Sequence, residues 1–122
     1  MEPGTAFTYH PSDGLWIVIS DLIGESDRVL AVQTSDTEVG KEAGLVLTTE
    51  DHPYLQKPCW VDFTSTTEVS TTRLNQSVTQ GRVVFRGLCR PTITQRIWSE
   101  AAHSKRLAKN FVALLRNQGK IN

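Results

Sequence analysis

The sequence predicts an α+β fold, mainly β, in which a strongly bent sheet or small barrel is followed by one or two C-terminal helices. Three observations carry this expectation. The first two thirds of the chain hold short, β-branched apolar runs separated by polar, Gly- and Pro-containing stretches. Beyond Pro91 the apolar spacing changes to three and four residues, the helical period. A run of strands followed by helices suits a bent sheet with its open side covered by the helices. At 122 residues the chain supports one hydrophobic core, so a single domain over 1–122 is expected.

Residues 1–14, MEPGTAFTYHPSDG, are rich in turn formers and read as an irregular lead-in with turns near Pro11 and Asp13-Gly14. The barrel is expected over 15–90. Leu15 to Ile19 is continuously apolar, as a strand buried on both faces would be, and Val29 to Thr34 repeats the pattern after a polar turn. These two runs are expected as neighbouring antiparallel strands at the centre of the sheet. The polar stretch Ser35 to Gly44 reads as a loop, Leu45 to Thr48 as a short strand, and Glu50 to Leu55 as a turn or one-turn helix. Cys59 to Phe63 reads as the next strand, and the Thr- and Val-rich Glu68 to Thr72 as another. Asn75 to Gly81 is turn-like, and Val83 to Phe85 is an apolar run whose type the pattern leaves open. Trp16 and Trp60, inside apolar strands, are expected in the core.

The basic segment 91–118 reads as helical. Ile93, Ile97 and Ala101 share one stripe, with Thr92 or Thr94 as N-cap. Leu107, Ala108, Phe111, Leu114 and Leu115 form a second stripe ending near Gly119. His103-Ser104 between them reads as a break between two helices with Ser104 capping the second, one continuous helix being the alternative.

The zero net charge conceals a segregation. Residues 82–122 carry nine Lys and Arg against Glu100 alone, a net +8, which leaves −8 on residues 1–81. Clustered cations attract polyanions, and the same cations can instead neutralise the acidic body from within. Cys59, Cys89 and the three His residues lack metal-ligand spacing, and no phosphate-binding glycine loop or nucleophile elbow occurs, so neither metal nor cofactor is expected. No apolar run approaches membrane-spanning length, and the N-terminal residues lack signal-peptide character, so a cytoplasmic protein with no membrane partner is expected.

The order of motifs resembles the PemK/MazF toxins. Leu15-Trp16-Ile17-Val18-Ile19-Ser20-Asp21 is similar to that family's early strand ending in Ser-Pro. Val29-Leu30-Ala31-Val32-Gln33-Thr34-Ser35 is similar to the strand ending in Thr-Thr or Thr-Ser, and Gly44-Leu45-Val46-Leu47 to the next. The resemblance covers roughly 14 to 117. It implies an SH3-like barrel, metal-independent endoribonuclease activity on mRNA, RNA and an antitoxin protein as partners, and a homodimer. It also places the hydroxyls of Thr34 and Ser35 at the scissile phosphate. Where the family has an Arg before the early strand, this chain has Asp13-Gly14.

RNA cleavage through the 2′-hydroxyl needs a base, an acid and a cation. His10 and His52 have the acid–base range, each beside a proline in a turn-like segment, and Arg73 supplies a fork-shaped cation. The catalytic candidates are therefore Thr34, Ser35, His10, His52 and Arg73. Arg106, Lys109 and Arg116 are the candidate phosphate contacts, and Tyr9 and Tyr54, beside the two His, the candidate base-stacking residues. The competing expectation is a noncatalytic module of the same fold that binds nucleic acid, a partner protein or a small molecule in the barrel mouth.

Overall fold

The continuous apolar runs form the middle of the sheet. In a computed structural model describing residues 1–11, 14–36 and 45–122, six strands and three helices follow in the order β1 (Thr5–Tyr9), β2 (Leu15–Val18), β3 (Arg28–Ser35), β4 (Val46–Leu47), β5 (Cys59–Ser70), α1 (Thr71–Thr79), β6 (Val83–Leu88), α2 (Pro91–Ala101) and α3 (Lys109–Asn117). The strands pair in the order β4-β5-β3-β2-β1-β6, and the antiparallel sheet curls into a half-barrel. β2 and β3 lie at its centre as neighbours, with Trp16 opposite Gln33 and Val18 opposite Ala31. This is the α+β, mainly β architecture that the sequence predicts.

Both faces of the sheet are packed, which explains why β2 and β3 lack strict alternation. One face carries Ala6, Leu15, Ile17, Leu30 and Val32 and is covered by Ile93 and Ile97 of α2 and by Leu107 and Leu115 around α3. The opposite face carries Phe7, Val18, Val29 and Ala31 and is covered by Leu74 of α1. The C-terminal stripe therefore docks on the sheet, while Arg106, Lys109 and Arg116 stay exposed. The Trp98 indole N–H donates to the Ile19 carbonyl at 2.8 Å, and Lys120 pairs with Asp21 at 3.0 Å. Part of the basic tail thus does neutralise the acidic body.

Several expectations need correction. Residues 5–9 of the lead-in form β1, because Thr5-Ala6-Phe7-Thr8-Tyr9 supplies β-formers that the flanking Pro3-Gly4 and His10-Pro11 obscure. Thr71 and Thr72, expected in a strand, open α1, and most of the turn expected at 75–81 is helix. Ser70 is the N-cap, accepting from the Arg73 N–H, so hydroxyl capping outweighs the β preference of the Thr residues. Val83 to Phe85, whose type the sequence pattern leaves open, belongs to an edge strand. α2 and α3 are separate helices, as the break read at His103-Ser104 predicts. Pro91 begins α2 after Arg90, and neither Thr92 nor Thr94 is its cap. The Ser104 hydroxyl accepts from the Arg106 and Leu107 N–H groups, but the residue preceding α3 is Ala108. Trp60 is half-buried and belongs to neither core cluster, because Cys59, Val61 and Phe63 take the inward positions of β5. Of the loop expected over 35–44, Ser35 instead ends β3, and residues 37–44, like the turn at Asp13, lie outside the described residues.

Candidate functional site

Where β3 ends and β2 begins, the sheet opens into a cleft of about 930 Å³. One wall runs from Gly14-Leu15 to Gln33-Thr34-Ser35-Asp36, the other is the segment from His52 to Lys57, and Arg86 of β6 also lines it. The absence of a side chain at Gly14 matters for the first wall, because a Cβ there would lie 2.4 Å from the Gln33 amide nitrogen and displace it. Thr34 is 3% exposed, and its hydroxyl donates to the Leu15 carbonyl at 3.1 Å, tying the two strand ends together.

The second wall is set by hydrogen bonding before it reaches the cleft. The Thr48 N–H donates to the Asp51 carboxylate at 2.8 Å, closing a short turn. Arg96 of α2 pairs with that carboxylate at 3.2 Å and donates to the Val46 carbonyl at 3.0 Å, while Arg90 donates to the Glu50 carbonyl at 2.9 Å. Two cations of the positively charged 82–122 region, Arg90 and Arg96, are thereby engaged by the turn that delivers His52.

His52 is 5% exposed and has both ring nitrogens engaged. Nδ1 accepts from the Tyr54 N–H at 3.0 Å, and Nε2 lies 3.0 Å from the Arg86 carbonyl. A carbonyl only accepts, so the neighbours assign the hydrogen to Nε2 and the lone pair to Nδ1. The Arg86 side chain is held as well. Its Nε donates to Thr8 Oγ1 at 3.1 Å, and its guanidinium lies 4.5 Å from the centre of the Tyr54 ring, a cation–π contact. No described residue accepts from its two terminal nitrogens.

Lys57 contributes a second cation, paired with Asp36 at 2.8 Å; both side chains are more than half exposed. Such an exposed pair contributes little to stability and yields readily to a competing anion. Burial pushes the Cys59 thiol above its ordinary range, which keeps it protonated and argues against a nucleophile.

The cleft brings together Thr34, Ser35, His52 and Tyr54, but not the other candidates. His10 is exposed and does not line it. Arg73 is exposed on α1, the helix packed on the opposite face of the sheet, so it is not the cation of this site. Tyr9 packs edge-on against Phe7 and Trp16, with ring centres 5.6 and 6.0 Å away, instead of facing the cleft. Arg106, Lys109 and Arg116 are likewise not among the lining residues. Sequence reasoning missed Arg86, Lys57 and Gln33 as site residues. Arg86 was countable only as one of many C-terminal cations, since its relevance arises from the pairing of β6 beside β1.

Among the described residues, no group of three or more His, Cys, Asp or Glu side chains is placed to hold a metal ion, and no helix is long and apolar enough to cross a membrane. Comparison with protein-family models, curated proteins and solved structures finds no match.

Proposed function

We propose that the cleft binds single-stranded RNA through its phosphates, as a PemK/MazF-like protein that holds RNA without cutting it. The observation that carries this reading is Arg86, a prepositioned cation sharing one open cleft with Lys57 and Ser35, while the buried Thr34 hydroxyl holds the strand end in place through the Leu15 carbonyl. A guanidinium with two terminal N–H₂ groups matches two phosphate oxygens, and serine and threonine hydroxyls are common phosphate ligands. The cation missing before β2 is thus supplied from β6. A volume near 930 Å³ lies at the upper end of ordinary ligand clefts and is compatible with a nucleotide-sized segment.

The histidines support binding without cleavage. A general base must present a lone pair to the 2′-hydroxyl, and the only lone pair on His52 accepts from Tyr54. His10 does not line the cleft.

The test is fluorescence anisotropy with a short labelled single-stranded RNA over a salt series, with the same RNA then run on a denaturing gel. Arg86→Ala is expected to weaken binding about ten- to hundredfold, the usual effect of losing a hydrogen bond to a charged group. Intact RNA after incubation supports a binding protein, whereas discrete cuts that Arg86→Ala abolishes would restore the endoribonuclease reading. Equal binding by wild type and Arg86→Ala would remove the cleft from RNA recognition.

A further inference from the structure

The contacts around Arg86 come from two segments distant in sequence, β1 and the 52–54 turn. Thr8 of β1 accepts from Nε at 3.1 Å, Tyr54 lies under the guanidinium, and His52 holds the Arg86 carbonyl at 3.0 Å. His52 also fixes Tyr54 through the 3.0 Å bond from the Tyr54 N–H. One imidazole therefore sets both the backbone that bears the cation and the ring on which the cation rests. β6 needs such support at this point. Between Phe7 and Thr5 of β1 its register shifts, and Arg86 and Gly87, the latter with φ +84°, share the space opposite Ala6.

We infer that His52 is a positioning residue for Arg86: it locks the 52–54 turn onto the β6 bulge so that the two terminal guanidinium nitrogens meet a phosphate as a pair. This rests on the RNA-binding reading of the cleft. His52 itself touches no phosphate. Its contribution is preorganisation, because an arginine already restrained loses less side-chain freedom on binding than a mobile one.

The two bonds of the imidazole can be separated by amide substitutions. In His52→Asn the shorter side chain still accepts from the N–H two residues on, the usual asparagine turn, but does not reach the Arg86 carbonyl. In His52→Gln the longer side chain reaches that carbonyl. His52→Asn is therefore expected to weaken RNA binding about tenfold with a smaller loss of melting temperature than His52→Ala, since the Tyr54 N–H keeps its acceptor, and His52→Gln to recover most of the affinity. Thr8→Val removes the Nε acceptor at nearly constant volume and is expected to act in the same direction, so the test survives if His52→Asn folds poorly.

The deciding measurement is a double-mutant cycle read by RNA anisotropy. Once Arg86 is alanine, His52→Asn is expected to change affinity no further. If His52→Asn weakens binding equally with and without Arg86, its role is general support of the fold and the inference is overturned. If Arg86→Ala weakens binding but His52→Asn and Thr8→Val do not, Arg86 needs no positioning, and the inference fails while the cleft reading stands. If Arg86→Ala itself has no effect, the cleft reading fails first. NMR gives a readout without RNA: the Arg86 Nε–H signal should exchange with water faster in His52→Asn than in wild type, and an unchanged rate would count against the lock.

Discussion

Two turns of this protein use the same three residue types, and the structure treats them in opposite ways. Tyr9-His10-Pro11 runs out of the end of β1 and leaves its imidazole exposed; the His10 backbone N–H donates to the Arg82 carbonyl, and Tyr9 packs against Phe7 and Trp16. His52-Pro53-Tyr54 lines the cleft, with the imidazole buried and bonded at both nitrogens and the tyrosine beneath Arg86. A histidine beside proline is thus not informative by itself. What distinguishes the pair is the partner each imidazole meets: solvent in one case, and in the other a carbonyl on a strand 34 residues away in sequence.

The comparison is broken most directly by removing each imidazole. His52→Ala strands the Arg86 carbonyl and the Tyr54 N–H in a mostly buried place, at a cost of about 1–3 kcal/mol for each group that finds no water. His10→Ala, on the surface, should stay within about 0.5 kcal/mol of wild type. Urea denaturation of the two variants checks this, and equal losses would show that His52 is no more engaged than His10.

Much of this contrast was invisible before the strands were paired. Thr34, Ser35, His52 and Tyr54 were legible because strand-end hydroxyls and turn histidines leave local signals, and the cleft does gather them. Arg73 was misplaced because Thr71 and Thr72 suggested a strand, whereas the Ser70 cap starts a helix on the far face of the sheet. Arg86 could not be singled out, since its position depends on β6 joining β1, a pairing of residues nearly eighty positions apart in sequence. The β2–β3 centre was legible for the opposite reason: its strands are close in sequence and each carries a continuous apolar run, Leu15 to Val18 and Val29 to Val32.

A smaller effect sharpens the difference between the two tyrosines. Burial raises the Tyr9 phenol above its ordinary pKa. The folded state therefore holds the proton more tightly than the unfolded state does. This contribution is complete below the unfolded value near pH 10 and is lost as pH rises through the folded value. Burial acts in the same sense on Cys89, whose thiol is pushed up to about 11. Stability should thus fall from about pH 9 upward, the Cys89 part first. Tyr9→Phe should make the fall above pH 10 shallower without abolishing it, as measured by urea unfolding at a series of alkaline pH values. An identical slope in that variant would show that the phenol titrates as if exposed.

The central claim is that RNA occupies the cleft between the end of β3 and the 52–57 segment, against Arg86. An NMR titration of the ¹⁵N-labelled protein with a short single-stranded RNA at moderate salt tests it residue by residue. The account predicts that the amide signals of Gln33, Thr34, Ser35, Tyr54 and Arg86 shift most, with those around His10 and Arg73 unmoved. Shifts confined to Arg106, Lys109 and Arg116, or no saturable shift anywhere, would contradict it.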